Sequence, residues 1–164
     1  MNIGMMKIKE VVRLIMKAAD GIKLKQRRSS LEFGELLGYT TCLNVFQDMF
    51  ILNKDKKAVG LGFDPEVRYL GGTPRKHEEE PEEEDEELSS TEMALAITER
   101  AVAYIVRYAD ENMNRTNPDD VAIGELLGYV DCLRIIRDVF HEDPGDVGID
   151  FDPDERYLNA KPHY

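Results

Sequence analysis

Two glutamates stand where a helix should be apolar. Projected at about 100° per residue, the stretch Gly34 to Phe50 places Glu35 in the middle of a wide apolar arc, with Tyr39 one turn later on the same face. The stretch Gly124 to Phe140 repeats the pattern with Glu125 and Tyr129. An ionised carboxylate left without partners costs several kcal/mol to bury, so each glutamate needs a cation, hydrogen-bond donors or water. The best-placed cations are Arg68 and Arg156, which lie in matching segments downstream, and the tyrosine hydroxyls add donors. The spacing therefore predicts a polar cluster of Glu35, Tyr39, Arg68, Glu125, Tyr129 and Arg156.

Two chemistries fit such a cluster. The plainer one is a structural clamp, glutamate to arginine, fixing each downstream tail to the helices. The sharper one requires Glu35 and Glu125 to converge across a symmetry axis, where like charges would raise one pKa and make a metal site or an acid/base pair. The residues favour the clamp. Carboxylate metal sites in helical bundles recruit more ligands, and the chain has no Glu-x-x-His motif. Partial exposure of both glutamates would satisfy them without either device.

Other chemistry-bearing residues are isolated. His77, His141 and His163 lie in a linker, beside a helix end and near the C-terminus. No nucleophile elbow, phosphate loop or dinucleotide fingerprint occurs, and no alternating strand segment could host one. Cys42 and Cys132 sit at equivalent places in apolar helical patterns, which predicts buried free thiols rather than a disulfide or a metal pair. The residues call for no metal and no cofactor.

The elements that must position these groups come in two copies. GELLGYTTCLNVFQDMF from Gly34 and GELLGYVDCLRIIRDVF from Gly124 agree at ten of seventeen positions, at an offset of 90. Phe63-Asp64-Pro65 through Arg68-Tyr69-Leu70 recurs as Phe151-Asp152-Pro153 through Arg156-Tyr157-Leu158 at an offset of 88, so the intervening loop differs by two residues. Ahead of each long block runs another amphipathic stretch. Ile8, Val11, Val12, Ile15, Ala18, Ala19 and Ile22 mark a helix over roughly residues 5 to 24, and Ala94, Ile97, Ala101, Tyr104, Ile105 and Tyr108 mark one over about 90 to 113. Ser89-Ser90-Thr91-Glu92 and Ser29 with Glu32 fit capping boxes, while Asn117-Pro118-Asp119-Asp120 supplies an N-cap, a first-turn proline and dipole-favoured acids. Each unit ends in an apolar connector and an Asp-Pro start, at Asp64 or Asp152, that predicts one short helical turn.

Gly34, Gly38 and Cys42 form a ladder of small residues at four-residue spacing, matched by Gly124, Gly128 and Cys132. Glycine inside a helix costs about 1 kcal/mol relative to alanine, so the ladders imply close backbone approach. The expected fold is all-α: a four-helix bundle of two duplicated hairpins, each followed by a short helical-turn tail, related by a pseudo-twofold axis. Helices two and four cross at Gly38 and Gly128, with the other two outside. One domain over 1–164 comprises a first repeat (1–77), an acidic disordered linker (78–90) and a second repeat (91–164), with a frayed end from Asn159.

Charge separates the halves. Residues 1–77 hold 14 Lys/Arg against 8 Asp/Glu, net +6, and residues 78–164 hold 7 against 25, net −18, which sum to the chain's −12. Nine carboxylates between Glu78 and Glu87 leave nothing apolar to offset ordering. That run is solvated, or docks on the basic stretch Lys23 to Arg28 and masks it from an anionic partner. Such acidity makes nucleic acid an unlikely partner. The apolar stretches are too short and too interrupted for a membrane span or a signal peptide, so the expected location is cytoplasmic. The function expected is that of an interaction or regulatory module binding another protein or itself. The alternative is a metal-dependent hydrolase acting on a phosphorylated substrate through the Glu35/Glu125 region.

Overall fold

A side-chain oxygen opens each of the long helices. Asn2 accepts from the Met5 amide to start α1 (Ile3–Lys23), and Ser29 with Glu32 forms a full capping box at the head of α2 (Ser30–Met49). In the second half Ser90 accepts from Met93 to start α5 (Thr91–Met113), and Asp119 accepts from Ala122 to start α6 (Asp120–Val139). Two cap expectations need correcting. The residue three beyond Ser90 is Met93, so that cap has no reciprocal glutamate. Pro118 precedes the cap of α6 because Asn117 takes a left-handed φ of 52°, a conformation asparagine tolerates, and the chain turns there rather than starting the helix.

The computed structural model describes residues 1–73 and 90–158. The acidic run Glu78 to Glu87, His77, His163 and the segment from Asn159 onward lie outside the described residues. Among the described residues the chain is all-helical, without a strand. Short elements follow each long pair. In the first half these are α3 (Asn53–Ala58) and α4 (Pro65–Leu70), and in the second a 3-10 helix (Pro144–Val147) and α7 (Pro153–Tyr157). Asp64 and Asp152, each just before the proline that starts α4 or α7, accept from the two amides that follow that proline. The connectors are themselves helical, which the apolar pattern alone did not reveal.

Among the described residues the most extensive contact joins α2 to α6. They run side by side in the same direction. A Cβ on Gly38 would lie 2.7 Å from the Glu125 carbonyl oxygen and 2.9 Å from Gly128 Cα, and one on Gly128 would lie 2.7 Å from the Glu35 carbonyl oxygen. One turn earlier, a Cβ on Gly34 would overlap the Val121 carbonyl oxygen, and one on Gly124 the Leu31 carbonyl oxygen. Backbone meets backbone here, so no side chain can yield to make room. Around this seam close Leu36, Leu43, Phe46, Leu133 and Ile136, all fully buried.

The remaining long helices pack on both seam helices and also touch each other, since a Cβ on Gly4 would meet Ala94 Cβ at 2.9 Å. They therefore close the layer rather than lying apart outside it. α1 turns Ile8, Val11, Val12, Ile15, Ala19 and Ile22 inward as its periodicity requires. In α5 the inward line is Ala94, Thr98, Ala101, Val102, Ile105 and Ala109, and Tyr104 is exposed. Thr98 is accommodated by donating to the Ala94 carbonyl at 2.9 Å. Gly60 packs on Val12 and Gly148 on Val102, so each connector crosses the middle of its own first helix.

Gly38→Ala and Gly34→Ala should each destabilise the fold by about 2–3 kcal/mol, the cost of overpacking an interior contact. Gly21→Ala, where a Cβ meets nothing within 4 Å, should be neutral or stabilise α1 by up to about 1 kcal/mol. Urea unfolding of the three variants checks the contrast; equal effects at Gly21 and Gly38 would remove the seam's special status.

Candidate functional site

Because the α2 and α6 backbones touch, the side chains just beside the seam are forced out along its two edges, where each helix reaches the other. On one edge the Tyr39 hydroxyl of α2 donates to Asp131 Oδ2 of α6 at 2.6 Å. Arg134 Nη2 donates to the other oxygen of Asp131 at 2.8 Å, and Arg134 Nη1 lies 3.4 Å from Asp154 at the head of α7. Glu35 faces this edge half-buried. On the opposite edge the Tyr129 hydroxyl donates to Glu125, four residues earlier on its own helix, and Thr41 of α2 stands within hydrogen-bonding reach. Tyr108 stacks on Tyr129 with ring centroids 6.1 Å apart.

The glutamates therefore do not converge. Glu35 shares a niche with Asp131 and Tyr39, and Glu125 one with Tyr129 and Thr41. Burial holds the Glu35 carboxyl above its usual range, the charges of Asp131 and Glu32 add to the shift, and Lys25 offsets only part of it. Both tyrosine hydroxyls are pushed up, by burial first and then by the carboxylate each donates to, so they stay protonated donors. Among the described residues, no group of three or more histidine, cysteine or carboxylate side chains is placed to hold a metal ion.

The arginines go elsewhere, which corrects the expected clamp to Glu35 and Glu125. Arg68 Nη2 reaches Asp20 at 3.3 Å, and Arg156 Nη2 reaches Asp110 at 3.1 Å. Tyr69 and Tyr157 donate to the same carboxylates at 2.9 Å and 2.8 Å. Each guanidinium also lies over a phenylalanine of its own tail, Phe63 at 5.2 Å and Phe151 at 4.7 Å from the ring centroids. The cause is directional. Each Asp-Pro cap starts a short helix that packs mainly on α2 or α6 and carries its arginine and tyrosine to the last turn of α1 or α5, where Asp20 and Asp110 lie. There the ion pair remains hydrated, with side chains about 40% exposed, whereas burying the arginine beside the seam would cost desolvation.

Polar side chains of α2 and α6 hold the other end of each tail. Gln47 Nε2 donates to the Leu61 and Phe63 carbonyls at 3.1 Å and 2.6 Å, and Asn44 Nδ2 to Glu66 at 3.3 Å. In the second half Arg137 Nη1 stands 3.7 Å from Asp152, and Arg134 takes the place of Asn44. Sequence reasoning missed Asp20, Asp110 and Asp131. The first two were signalled by Ala19-Asp20 matching Ala109-Asp110 at the same offset of 90 as the long blocks. Asp131 carried no such signal, because its counterpart is Thr41.

Cys42 and Cys132 continue the glycine ladders. Both are fully buried free thiols, and they touch each other across the seam. Burial, then the neighbouring Cys42, pushes the Cys132 thiol well above its usual range and keeps it unreactive. Ellman's reagent should find no thiol in the native protein and both after denaturation; rapid labelling of the native chain would show that the seam opens.

A pH experiment isolates Glu35. Its folded pKa lies above the unfolded value, so the folded state holds the proton more tightly and stability falls as pH rises through and beyond 4.5. Glu35→Gln should flatten that fall and match or exceed the wild type at neutral pH in a urea titration. A loss of stability at pH 7 would mean that the ionised carboxylate has a favourable partner. No family model, curated protein or solved structure matches the chain.

Proposed function

We propose that the protein is an interaction module, a four-helix bundle of two duplicated hairpins related by a pseudo-twofold axis, that works by binding another protein or a second copy of itself. The observation that carries the reading is at one end of the helices. There the first turns of α1 and α5 meet at Gly4 and Ala94, and Ile3, Met6 and Met93 stand 55–61% exposed. Ile51, just past the end of α2 at the same pole of the antiparallel α1–α2 pair, is 83% exposed. Large apolar side chains gathered at one end mark surfaces that other proteins cover. Methionine in particular suits a surface that must adapt to its partner.

The rival reading, a metal-dependent hydrolase using Glu35 and Glu125, needs the two carboxylates to share a ligand, and they occupy separate niches. What supports the interaction reading is that the carboxylates beside the seam are engaged by tyrosines or held half-buried, while large apolar side chains stand exposed at this pole. No helix of the described residues is long and apolar enough to cross a membrane. A cytoplasmic setting is part of the same proposal.

A photo-crosslinking residue at position 6 or 93 should trap one discrete protein adduct in cells, and the same residue at the exposed Arg100 position should not. Met6→Asp and Met93→Asp should abolish that adduct without changing the melting temperature. Identical labelling from all three positions would overturn the reading. So would a melting temperature that rises with Mg²⁺, Mn²⁺ or Ca²⁺ in the wild type but not in Glu35→Gln, which would install the hydrolase instead.

A further inference from the structure

The opposite pole carries a second surface, and its charge pattern selects a different occupant. The α1–α2 turn and the α5–α6 turn lie side by side there, because the first turns of α2 and α6 touch through Gly34 and Gly124. Leu24 is 82% exposed, and Phe33, Met113 and Ile123 are each exposed by 37–42%. Phe33 and Ile123 occupy the positions just before the two ladder glycines, so the apolar surface is shared by both halves.

The charges around it are not shared. The first turn exposes Arg27 and Arg28, with Lys25 paired to Glu32, and the second exposes Asp120 beside the capping Asp119, with Arg115 as its cation. The pole is therefore apolar in the middle, basic on one side and acidic on the other. We infer that a second copy of this chain docks here, pole to pole, about a twofold axis lying in the plane of the pole. Of the two in-plane axes that superimpose the apolar centres, one sets basic turn on basic turn. The other sets the basic turn of each copy on the acidic turn of its partner, twice over, and like charges opposed across an interface cost several kcal/mol. The pattern thus fixes both the occupant and its orientation. An isologous contact of this kind closes as a dimer and does not propagate.

The chain's net charge of −12 opposes approach at long range. Attraction must come from facing charges within a Debye length, about 8 Å at physiological ionic strength. The association should therefore be salt-sensitive, with the apolar centre supplying the remainder.

The dimer rests on the interaction reading in its self-association form, and the two fail separately. Sedimentation equilibrium of the charge variants at the two turns reports on this pole, and crosslinking from positions 6 and 93 reports on the other. The full-length chain should be a dimer at about 100 μM in low salt, and salt should weaken it at least about tenfold. Arg27→Glu/Arg28→Glu leaves both turns acidic, and Thr116→Arg/Asp120→Arg leaves both basic. Each variant should be monomeric alone, with wild-type circular dichroism and thermal melts, and an equimolar mixture should restore the dimer. A wild type that stays monomeric, a mass that keeps growing with concentration, or a mixture that does not pair would each overturn the proposal.

Discussion

The structure depends on one contact, the meeting of the α2 and α6 backbones at Gly34, Gly38, Gly124 and Gly128. Each glycine inside a helix forfeits about 1 kcal/mol of helix propensity, so the four together cost about 4 kcal/mol before any packing is counted. Close approach offsets this by letting the flanking rows interdigitate, and Leu36, Leu43, Phe46, Leu133 and Ile136 reach full burial around the seam. Fully burying one such side chain is worth roughly 1.5–3 kcal/mol. The glycines are thus a condition of the core rather than a defect in two helices. A single Cβ at Gly38 would push apart the backbones that the other rows need close.

That constraint also decides where polar groups go. With the backbones in contact no polar side chain fits inside the seam, and the ones beside it must exit along an edge. Glu35 and Glu125 leave in opposite directions for that reason, and each meets a tyrosine-lined niche instead of its counterpart. The tails obey a second rule, hydration. Arg68 and Arg156 need opposite charge but lose less solvation at the rim, where Asp20 and Asp110 wait on the last turns of α1 and α5. Exposed ion pairs contribute at most about 1 kcal/mol. The aromatic rings beneath the guanidiniums and the tyrosine hydroxyls on the same carboxylates give these tethers their specificity.

Much of this was legible in the residues. The four long helices follow from three-to-four spacing, the crossing from glycines repeated at the same places, and the buried thiols from their equivalent places in the apolar helical patterns. The arginine partners were not legible, because the need of a buried carboxylate for a cation singles out Glu35 and Glu125, whereas the tails bring Arg68 and Arg156 to Asp20 and Asp110. Helix periodicity gives a side chain's angle about its own axis. It says nothing of where a tail joined through a connector of fifteen or thirteen residues will point, which Asp64 and Asp152 settle by capping the next turn. The cap of α6 was misplaced by two residues for a similar local reason, the left-handed backbone of Asn117.

The two halves agree where backbones meet and differ where solvent is near. Thr41 faces Asp131, Asn44 faces Arg134, Gln47 faces Arg137 and the Lys-rich α3 faces an acidic 3-10 connector when the halves are laid over each other at their offsets. Each pair does the same mechanical work, tethering a tail or lining an edge, with a different charge. Packing tolerates these exchanges because they lie outside the seam and leave its volume unchanged. Their sum is polarity: described residues 1–73 carry 12 Lys/Arg against 8 Asp/Glu, and 90–158 carry 6 against 16. Divergence in charge at matching positions gives the two halves distinguishable surfaces, on which the proposed interaction can be oriented.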